Sequence, residues 1–585
     1  MADGCEPRLF STRSLYHLCV SAVVDRFRIY KPYLVDLPKS VRFDLYYQLY
    51  TERRLCILGA ELSDLETFSK MLKVTNRRLQ LLKIFQAPMD HKIRIAKHLV
   101  ISYNMCCFQA RESPLPQEID KLINLGLRLG GFLSDAGWYS ESEEVLLACK
   151  QLCMDHNQTP KEWSRTLDCC HKLLHAQAAY RDFDGAAETH QLAMEMIEKL
   201  KSKEQLYNNS NHAALFAEFS VLFYIRSEYD EAHSWSTLAL KELRPSLPAG
   251  IIVDVLRQAA KSCVVKREFQ KADLLIKEAV YLAREIFDTD HPKYSDVLID
   301  YGFFLLNFDS ISNSVTIYKT ALDIRRTIFG RTNLHVALAH EDLAYALYVH
   351  EYSSGRFDDA SEHAGIAIDI MERHLPPNHL MLASARRIKA LILEEIAIDN
   401  ASTPLSEQNL LLKSECLHLS ALEMSKTAFG ERNVQTAKHY GNLGRLYQSM
   451  RKFQEAEMMH LKAIGIKEEL LGPDDYEVGL SIGHLASLYN FHMNRYRDAE
   501  KLYRRSIAIS LKLFGEGYSG LEYDYRGLLH VYNKLEDYEK ISEYTDTLNH
   551  WKELRDKHAQ SEEPPIDVQK HPQPIANVMN VFFSM

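Results

Sequence analysis

Two neighbouring stretches of the chain carry the same alternation of apolar and polar positions. Leu443, Tyr447, Phe453, Ala456, Glu457 and Ile464 recur as Leu485, Tyr489, Tyr496, Ala499, Glu500 and Ile507, a step of 42 or 43 residues. In each copy the apolar residues fall three or four apart in two runs joined by a short polar turn, which predicts a helical hairpin. A third copy follows with Leu528, Tyr532 and Tyr538. Earlier copies are marked by an aromatic residue with Ala three positions on: Phe183 and Ala186, Tyr229 and Ala232, Phe269 and Ala272, Phe357 and Ala360, with Tyr139 opening the series. A hairpin that cannot bury its own apolar face needs a neighbour, and the small residues Gly444, Ala456 and Ala463 let that neighbour approach, so the pattern predicts an all-α stacked solenoid. Two stretches depart from it. HPKYSDVLIDYGFFLLNFDSISNSVTIY keeps Gly302 but lacks the aromatic and Ala pair, and reads as a degenerate repeat; NASTPLSEQN interrupts 382–422 and reads as a hairpin with a long loop.

The L-G-x-x-Y pattern of Leu443, Gly444 and Tyr447, followed by Ala456 and Ala463, resembles the tetratricopeptide repeat. The extra residues between hairpins, with a recurring FG, are similar to the long-period variant of kinesin light chains. In such solenoids the first helix of each hairpin lines the concave groove. Aligned on that register, Glu218, Asp254, Asp296, Asp300, Glu341 and Asp342 face the groove in earlier units, and Lys438, Asn442, Arg445, His484, Asn490 and Arg526 in later ones. This segregation predicts one end suited to an Arg side chain and another suited to a free carboxylate, each held by charge-assisted hydrogen bonds.

The beginning of the chain has a different logic. In SLYHLCVSAVV, Ser14 can cap a helix on which Leu15, Cys19 and Val23 lie along one side. This stripe resembles the elongin BC box. Farther on, Leu37 and Pro38, with Val41 and Leu45 at helical spacing, resemble the box that selects cullin-2. With both boxes in order, the chain is similar as a whole to the tetratricopeptide-repeat substrate receptors of cullin-2 RING ubiquitin ligases. That resemblance implies binding of elongin C through Leu15, Cys19 and Val23, of cullin-2 through Leu37, Pro38, Val41 and Leu45, and assembly with elongin B and a RING subunit. It also implies capture in the groove of C-terminal degrons with an Arg upstream of a Gly, leading to ubiquitination and proteasomal degradation, in cytoplasm and nucleus. The alternative reading is a kinesin-light-chain-like trafficking adaptor that links membrane-protein sorting signals, such as that of amyloid precursor protein, to microtubules; homo-oligomers fit either. The expected layout is a disordered start over 1–12, the two box helices over 13–50, a helical linker over 51–119, the solenoid over 120–552 and a disordered tail over 553–585.

Composition narrows the function classes. At 585 residues with 46% hydrophobic positions, most of the chain is expected to fold, and a net charge of −9 offers no global basic surface for nucleic acid. The start lacks the apolar core of a signal peptide, no run approaches a membrane span, and the 11 cysteines fit reduced core residues, so an intracellular chain without disulfides is expected. HKLLH at His171 to His175 lacks the Glu of a zinc protease, and GLRLGG at Gly126 to Gly131 lacks the Lys and Ser or Thr of a phosphate loop, its glycines suiting close helix packing instead. Cys149, Cys153 and His156 share a helical face but bring no C-x-x-C pair, so packing is the expected role. No nucleophile triad stands out. A non-catalytic adaptor without cofactor or metal is the expectation.

Overall fold

The computed structural model describes residues 14–112, 116–201, 211–352, 354–400, 403–560 and 564–585, and its regular elements are helices. The stretch expected to be disordered at 1–12 lies outside the described residues. The chain divides into two compact units: the first runs to Ala176 and includes Ile328–Asn333, and the second comprises Gln177–Thr327 and Leu334–Met585.

In the first unit, α1 (Leu15–Asp25) is capped by Ser14, whose Oγ accepts the His17 backbone N–H at 3.3 Å. Its buried side is Val20 and Val24, while Leu15 and Cys19 point outward. After a single turn, α2 (Phe27–Tyr30), α3 (Lys39–Thr51) buries Phe43, Leu45, Tyr46 and Leu49. Leu45 is therefore a core residue packed inside the unit and is not presented to a cullin, and Val41 is half-buried beside it. The helices expected to form a separate docking module are built into the unit: α1 packs on α3, and α3 on α4 (Leu55–Leu62) and α6 (Arg78–Asp90). Between these last two lies α5 (Leu65–Met71), and α7 (Ile95–Glu112), α8 (Pro116–Asp135), α9 (Tyr139–Asp155) and α10 (Pro160–Tyr180) follow. The core gathers Phe68, Phe85 and Phe132, with ring centroids 5.0–5.6 Å apart. The glycines of GLRLGG act as expected, since a Cβ on Gly126 would overlap the Tyr103 hydroxyl and one on Gly130 the Leu146 side chain.

The second unit is a succession of helical hairpins. Ahead of them stands α11 (Phe183–Lys201); the pairs are α12 (His212–Ile225) with α13 (Tyr229–Lys241), α14 (Ala249–Val265) with α15 (Phe269–Phe287), and α16 (Pro292–Asn307) with α17 (Ile311–Phe329). Next come α18 (Leu334–His350) with α19 (Asp358–His374), α20 (Leu380–Asn400) with α21 (Pro404–Phe429), and α22 (Val434–Ser449) with α23 (Phe453–Leu471). The last pairs are α24 (Tyr476–Phe491) with α25 (Tyr496–Phe514) and α26 (Leu521–Leu535) with α27 (Tyr538–Gln560). The stretch read as a degenerate repeat forms the regular pair α16 and α17. The long loop expected at NASTPLSEQN is corrected: α20 runs to Asn400 and α21 starts at Pro404, capped by Thr403 Oγ1, which accepts the Ser406 N–H at 3.1 Å. Pro at the first helical position has no N–H to leave unpaired, so this turn-rich sequence starts a helix where a loop was expected.

Turn chemistry repeats with the hairpins. Within a pair, one left-handed residue such as Ser227, Arg267, Asp309 or Arg451 closes the first helix. The next N–H then bonds back five residues, as in Glu228 to Phe223 at 2.9 Å and Lys452 to Tyr447 at 2.8 Å. Glycines end the second helices at Gly430, Gly472 and Gly515 with φ of 78–87°, a region a side chain disfavours, the first and last of them following a Phe.

These turns meet the hairpin five places later in the succession. Asn433 Nδ2 donates to the Arg226 carbonyl at 2.9 Å and Gln435 Nε2 to Ser227 Oγ at 3.0 Å. Arg267 faces Asp475, the Phe269 and Phe514 rings meet tilted with centroids 5.5 Å apart, and Asp309 accepts the Ser519 N–H and an Arg555 N–H at 2.9 and 2.7 Å. The unit is thus a tight superhelix whose successive turns touch. The expected disordered tail is also corrected. Tyr301 donates to the Pro565 carbonyl at 2.5 Å, Arg284 to the carbonyls of Asp567 and Lys570, and the Gln573 N–H to Glu278 at 2.8 Å. A last helix, α28 (Ile575–Ser584), buries Val578 and Phe582 against α15. Its apolar spacing lies beyond the polar SEEPP stretch that suggested disorder.

Candidate peptide-binding groove

Of the first helices of the hairpins, α12, α14, α16, α18, α22, α24 and α26 carry the residues expected to line the concave side. The structure gives them partners that the sequence expectation lacked. In the earlier units Lys293 Nζ lies 2.6 Å from Asp254, Arg325 lies 2.8 Å from Asp296, and Lys261 and Arg257 lie 3.2 and 3.4 Å from Asp300. Against the upward push of burial, Arg325, Arg257 and Lys293 hold the Asp296 carboxyl well below the usual range. In the later units Lys438 lies 3.1 Å from Glu477, and Arg445 lies 2.6 Å from Glu395 and 3.5 Å from Glu394. Arg526 pairs with Glu522 on its own helix at 2.7 Å.

The expected segregation into an acidic and a basic stretch is therefore corrected. Each stretch carries its own counter-ions, and neither presents a row of free charges. Asn490 is also engaged: its Nδ2 donates to the Gly527 carbonyl at 3.1 Å, and its Oδ1 faces His530 Nδ1 at 2.8 Å. Glu218 has a partner as well. Glu341 and Asp342 are neighbours on α18, and burial followed by the adjacent Glu341 pushes the Asp342 carboxyl up to about 7. Burial keeps His484 neutral, its ring edge-on to Tyr523 at 6.2 Å.

Asn442 differs from these. Its Nδ2 is buried and has no hydrogen-bond partner among the described residues. On α22 it stands between Lys438 and Arg445 on one helix face. Aromatic rings missed by the sequence reading surround this part of the lining: Tyr345 lies under the Arg387 guanidinium at 5.3 Å, Tyr348 donates to Glu395 at 3.3 Å, and Tyr352 and Tyr523 are about half exposed. The i+3 and i+7 spacing of Arg257 and Lys261 from Asp254 was visible in the sequence as one mixed-charge face. The contributions of Glu394 and Glu395 were not, because they come from a stretch expected to be a loop-bearing hairpin.

A tetratricopeptide repeat model matches residues 436–477 and 478–517, the copies in which the repeat is clearest. Proteins of Mus musculus and Rattus norvegicus named amyloid protein-binding protein 2 are each 53% identical over 571 residues, spanning 97% of this chain and 96% of theirs. The chain belongs to the amyloid protein-binding protein 2 family. An Arabidopsis thaliana protein named kinesin light chain-related 2 is 24% identical over 212 residues, 34% of this chain and 28% of its own. A solved Rap protein complexed with competence and sporulation factor aligns with 67% of this chain and 99% of its own, at 12% identity and a TM-score of 0.48.

Membership of the amyloid protein-binding protein 2 family, with a kinesin-light-chain relative beside it, overturns the expected ligase function. The relatives carry names drawn from amyloid protein and kinesin light chain, and the expected partners elongin C, elongin B, cullin-2 and a RING subunit are corrected accordingly, as is degron capture. Leu15 and Cys19 then point outward from α1 with Val23 half-buried beside them, and Leu37, Pro38, Val41 and Leu45 are a helix entry with its core contact. The repeat fold is that of a protein-interaction scaffold, not of an enzyme.

Proposed function

We propose that the chain is a trafficking adaptor whose second unit captures an extended segment from the cytosolic tail of a membrane protein of the amyloid precursor kind and connects it to microtubule transport. The names of its relatives support the partner class. Within the chain, the observation that carries the reading is the unpartnered donor of Asn442 between Lys438 and Arg445, whose charges are already paired. A buried donor left unpaired costs about 1–3 kcal/mol, and a peptide carbonyl that the Asn442 side chain turns outward to meet removes that cost. With Lys438 and Arg445 already paired, the ligand is recognised by its backbone amides and by side chains laid on Tyr345, Tyr352 and Tyr523, as an extended peptide would be.

The test is fluorescence anisotropy with peptides from such a tail, together with microtubule co-sedimentation of the full chain. Asn442→Ala is expected to weaken peptide binding about 10-fold, the equivalent of one hydrogen bond of about 1.4 kcal/mol. Equal affinity of the wild type and Asn442→Ala moves the binding site elsewhere. A wild-type chain that binds neither tail peptides nor microtubules refutes the adaptor reading.

A further inference from the structure

In the first unit, α9 and α10 bring three cysteines together. Cys149 and Cys153 stand one turn apart on α9, and Cys169 faces them from α10. Their Sγ atoms all lie within 4.8 Å of one another, and all three side chains are fully buried. The α9 pair was visible in the sequence; the third member comes from a different helix, which is why no short spacing announced it. His156, which the sequence grouped with the α9 pair, is not part of the cluster.

The surroundings of the cluster are not wholly apolar. Two of the thiols donate to backbone carbonyls, Cys149 to Ile123 at 3.6 Å and Cys169 to Leu146 at 3.7 Å, bonds that a metal would replace when it displaces the thiol protons. Arg165, one turn before Cys169 on α10, is fixed by Asp120 through its terminal nitrogen, while its buried Nε has no hydrogen-bond partner among the described residues. That leaves a cationic group beside the cluster with a donor still unused. The Tyr103 hydroxyl lies against Cys149 and donates to the Leu122 carbonyl at 3.2 Å.

We propose that Cys149, Cys153 and Cys169 form a three-thiolate site for a thiophilic d10 cation. Metal–sulfur bonds of about 2.3 Å place the sulfurs of a trigonal site about 4.0 Å apart, so the cluster needs a contraction of less than about 1 Å. Thiolate ligands select Cu(I) and Zn(II) over harder ions. Zn(II) prefers four ligands, whereas among the described residues only three His, Cys, Asp or Glu donors converge here. Cu(I) accepts three sulfurs alone and is the expected occupant. Binding releases the thiol protons to solvent, and Arg165 offsets part of the negative charge left on the site.

The experiment is an anaerobic titration of the full chain with Cu(I), and separately with Zn(II), each against a chromophoric chelator, followed by X-ray absorption of the loaded protein. One equivalent of Cu(I) with three sulfur neighbours is expected. Cys149→Ala, Cys153→Ala and Cys169→Ala should each lower affinity by more than about 100-fold, beyond the 10- to 100-fold typical of residues outside the ligand set. Cys170→Ala, the next residue along α10, should not. Tighter retention of Zn(II) than of Cu(I) supports the same ligand set and changes its occupant. Failure of the wild type to hold either ion against the chelator overturns the proposal, as does nitrogen or oxygen coordination or binding that persists without the three cysteines. The wild-type titration and spectrum stand even if a variant folds poorly.

Discussion

Replacing Arg445 with Met removes the cation shared by two buried carboxylates. The Glu394 and Glu395 side chains are 2% and 10% exposed, and the Arg445 guanidinium lies 3.5 and 2.6 Å from them. Ser449 Oγ still donates to Glu394 at 2.9 Å and Tyr348 to Glu395 at 3.3 Å, so each acid keeps a hydrogen bond but loses its counter-charge. Breaking a buried ion pair from one side costs about 3–5 kcal/mol, and with two acids stranded the upper part of that range is expected at pH 8. Burial already raises both carboxyls, and Arg445 pulls them back. Without it they rise further, so the folded form holds protons that the unfolded form has released. Stability from such groups is present below the unfolded carboxyl pKa and is lost as pH climbs through the folded one. The Arg445→Met defect should therefore be largest at pH 8 and shrink towards pH 5. Hydrogen exchange of α20 and α22 reads it locally, with exchange about 900- to 5,000-fold faster at pH 8 after correction for intrinsic rates. Adding Glu394→Gln and Glu395→Gln should restore most of the protection. Acceleration below 10-fold at pH 8, or an equal defect at both pH values, refutes the account of a self-neutralised lining.

Two glycines on α22 should respond with opposite sign. A Cβ on Gly441 meets Ala463 at an ordinary 3.8 Å, so Gly441→Ala should stabilise by about 1 kcal/mol through helix propensity, whereas one on Gly444 comes within 2.8 Å of the His460 ring, so Gly444→Ala should cost about 1–3 kcal/mol of overpacking, partly offset by propensity. Thermal melts of the pair check the difference. Burial pushes the Asp524 carboxyl up to about 7, and Ser506 Oγ lies 2.6 Å from it and 3.1 Å from the Gly479 carbonyl. Protonated, Asp524 donates to Ser506, which donates onward to Gly479. Wild-type stability should fall as pH rises from about 4 to 7, at about 1.4 kcal/mol per pH unit from this group, and Asp524→Asn should remove that slope. Phe582→Ala empties the main anchor of α28, where Lys271 lies 5.4 Å from the ring, and a buried Phe truncation costs about 3–5 kcal/mol. The tail should detach, seen as faster hydrogen exchange in α15 and tryptic cleavage after Lys570.

The repeat was legible because its signals are local. Helical spacing, the aromatic and Ala pair, and FG turns each report on a few neighbouring residues, and α22 to α27 follow them closely. Gly444 against His460 is the close approach that its small size predicted. What escaped was set by pairing at a distance. Arg445 read as a groove cation because Glu394 and Glu395 lie about 50 residues earlier, on a helix hidden behind a Pro- and Ser-rich junction. Leu45 read as a docking residue because one apolar face of a helix looks the same whether a partner or the protein's own core covers it. The tail read as disordered because its polar stretch dominates the composition, although Val578 and Phe582, four apart, suffice for a docked helix.

Because the turn at Asp309 is covered by Ser519, 210 residues further on, the superhelix has a consequence for its own synthesis. At about 5–20 residues per second, a ribosome takes roughly 10–40 s to deliver the second partner after the first has emerged. Through that interval the hairpins from α12 to α17 already exist, with the turns at Ser227, Arg267 and Asp309 and the ring of Phe269 uncovered. Nascent chains of this protein should therefore spend tens of seconds as half-built coils with sticky rims, and a pause placed before residue 433 would lengthen their dependence on chaperones.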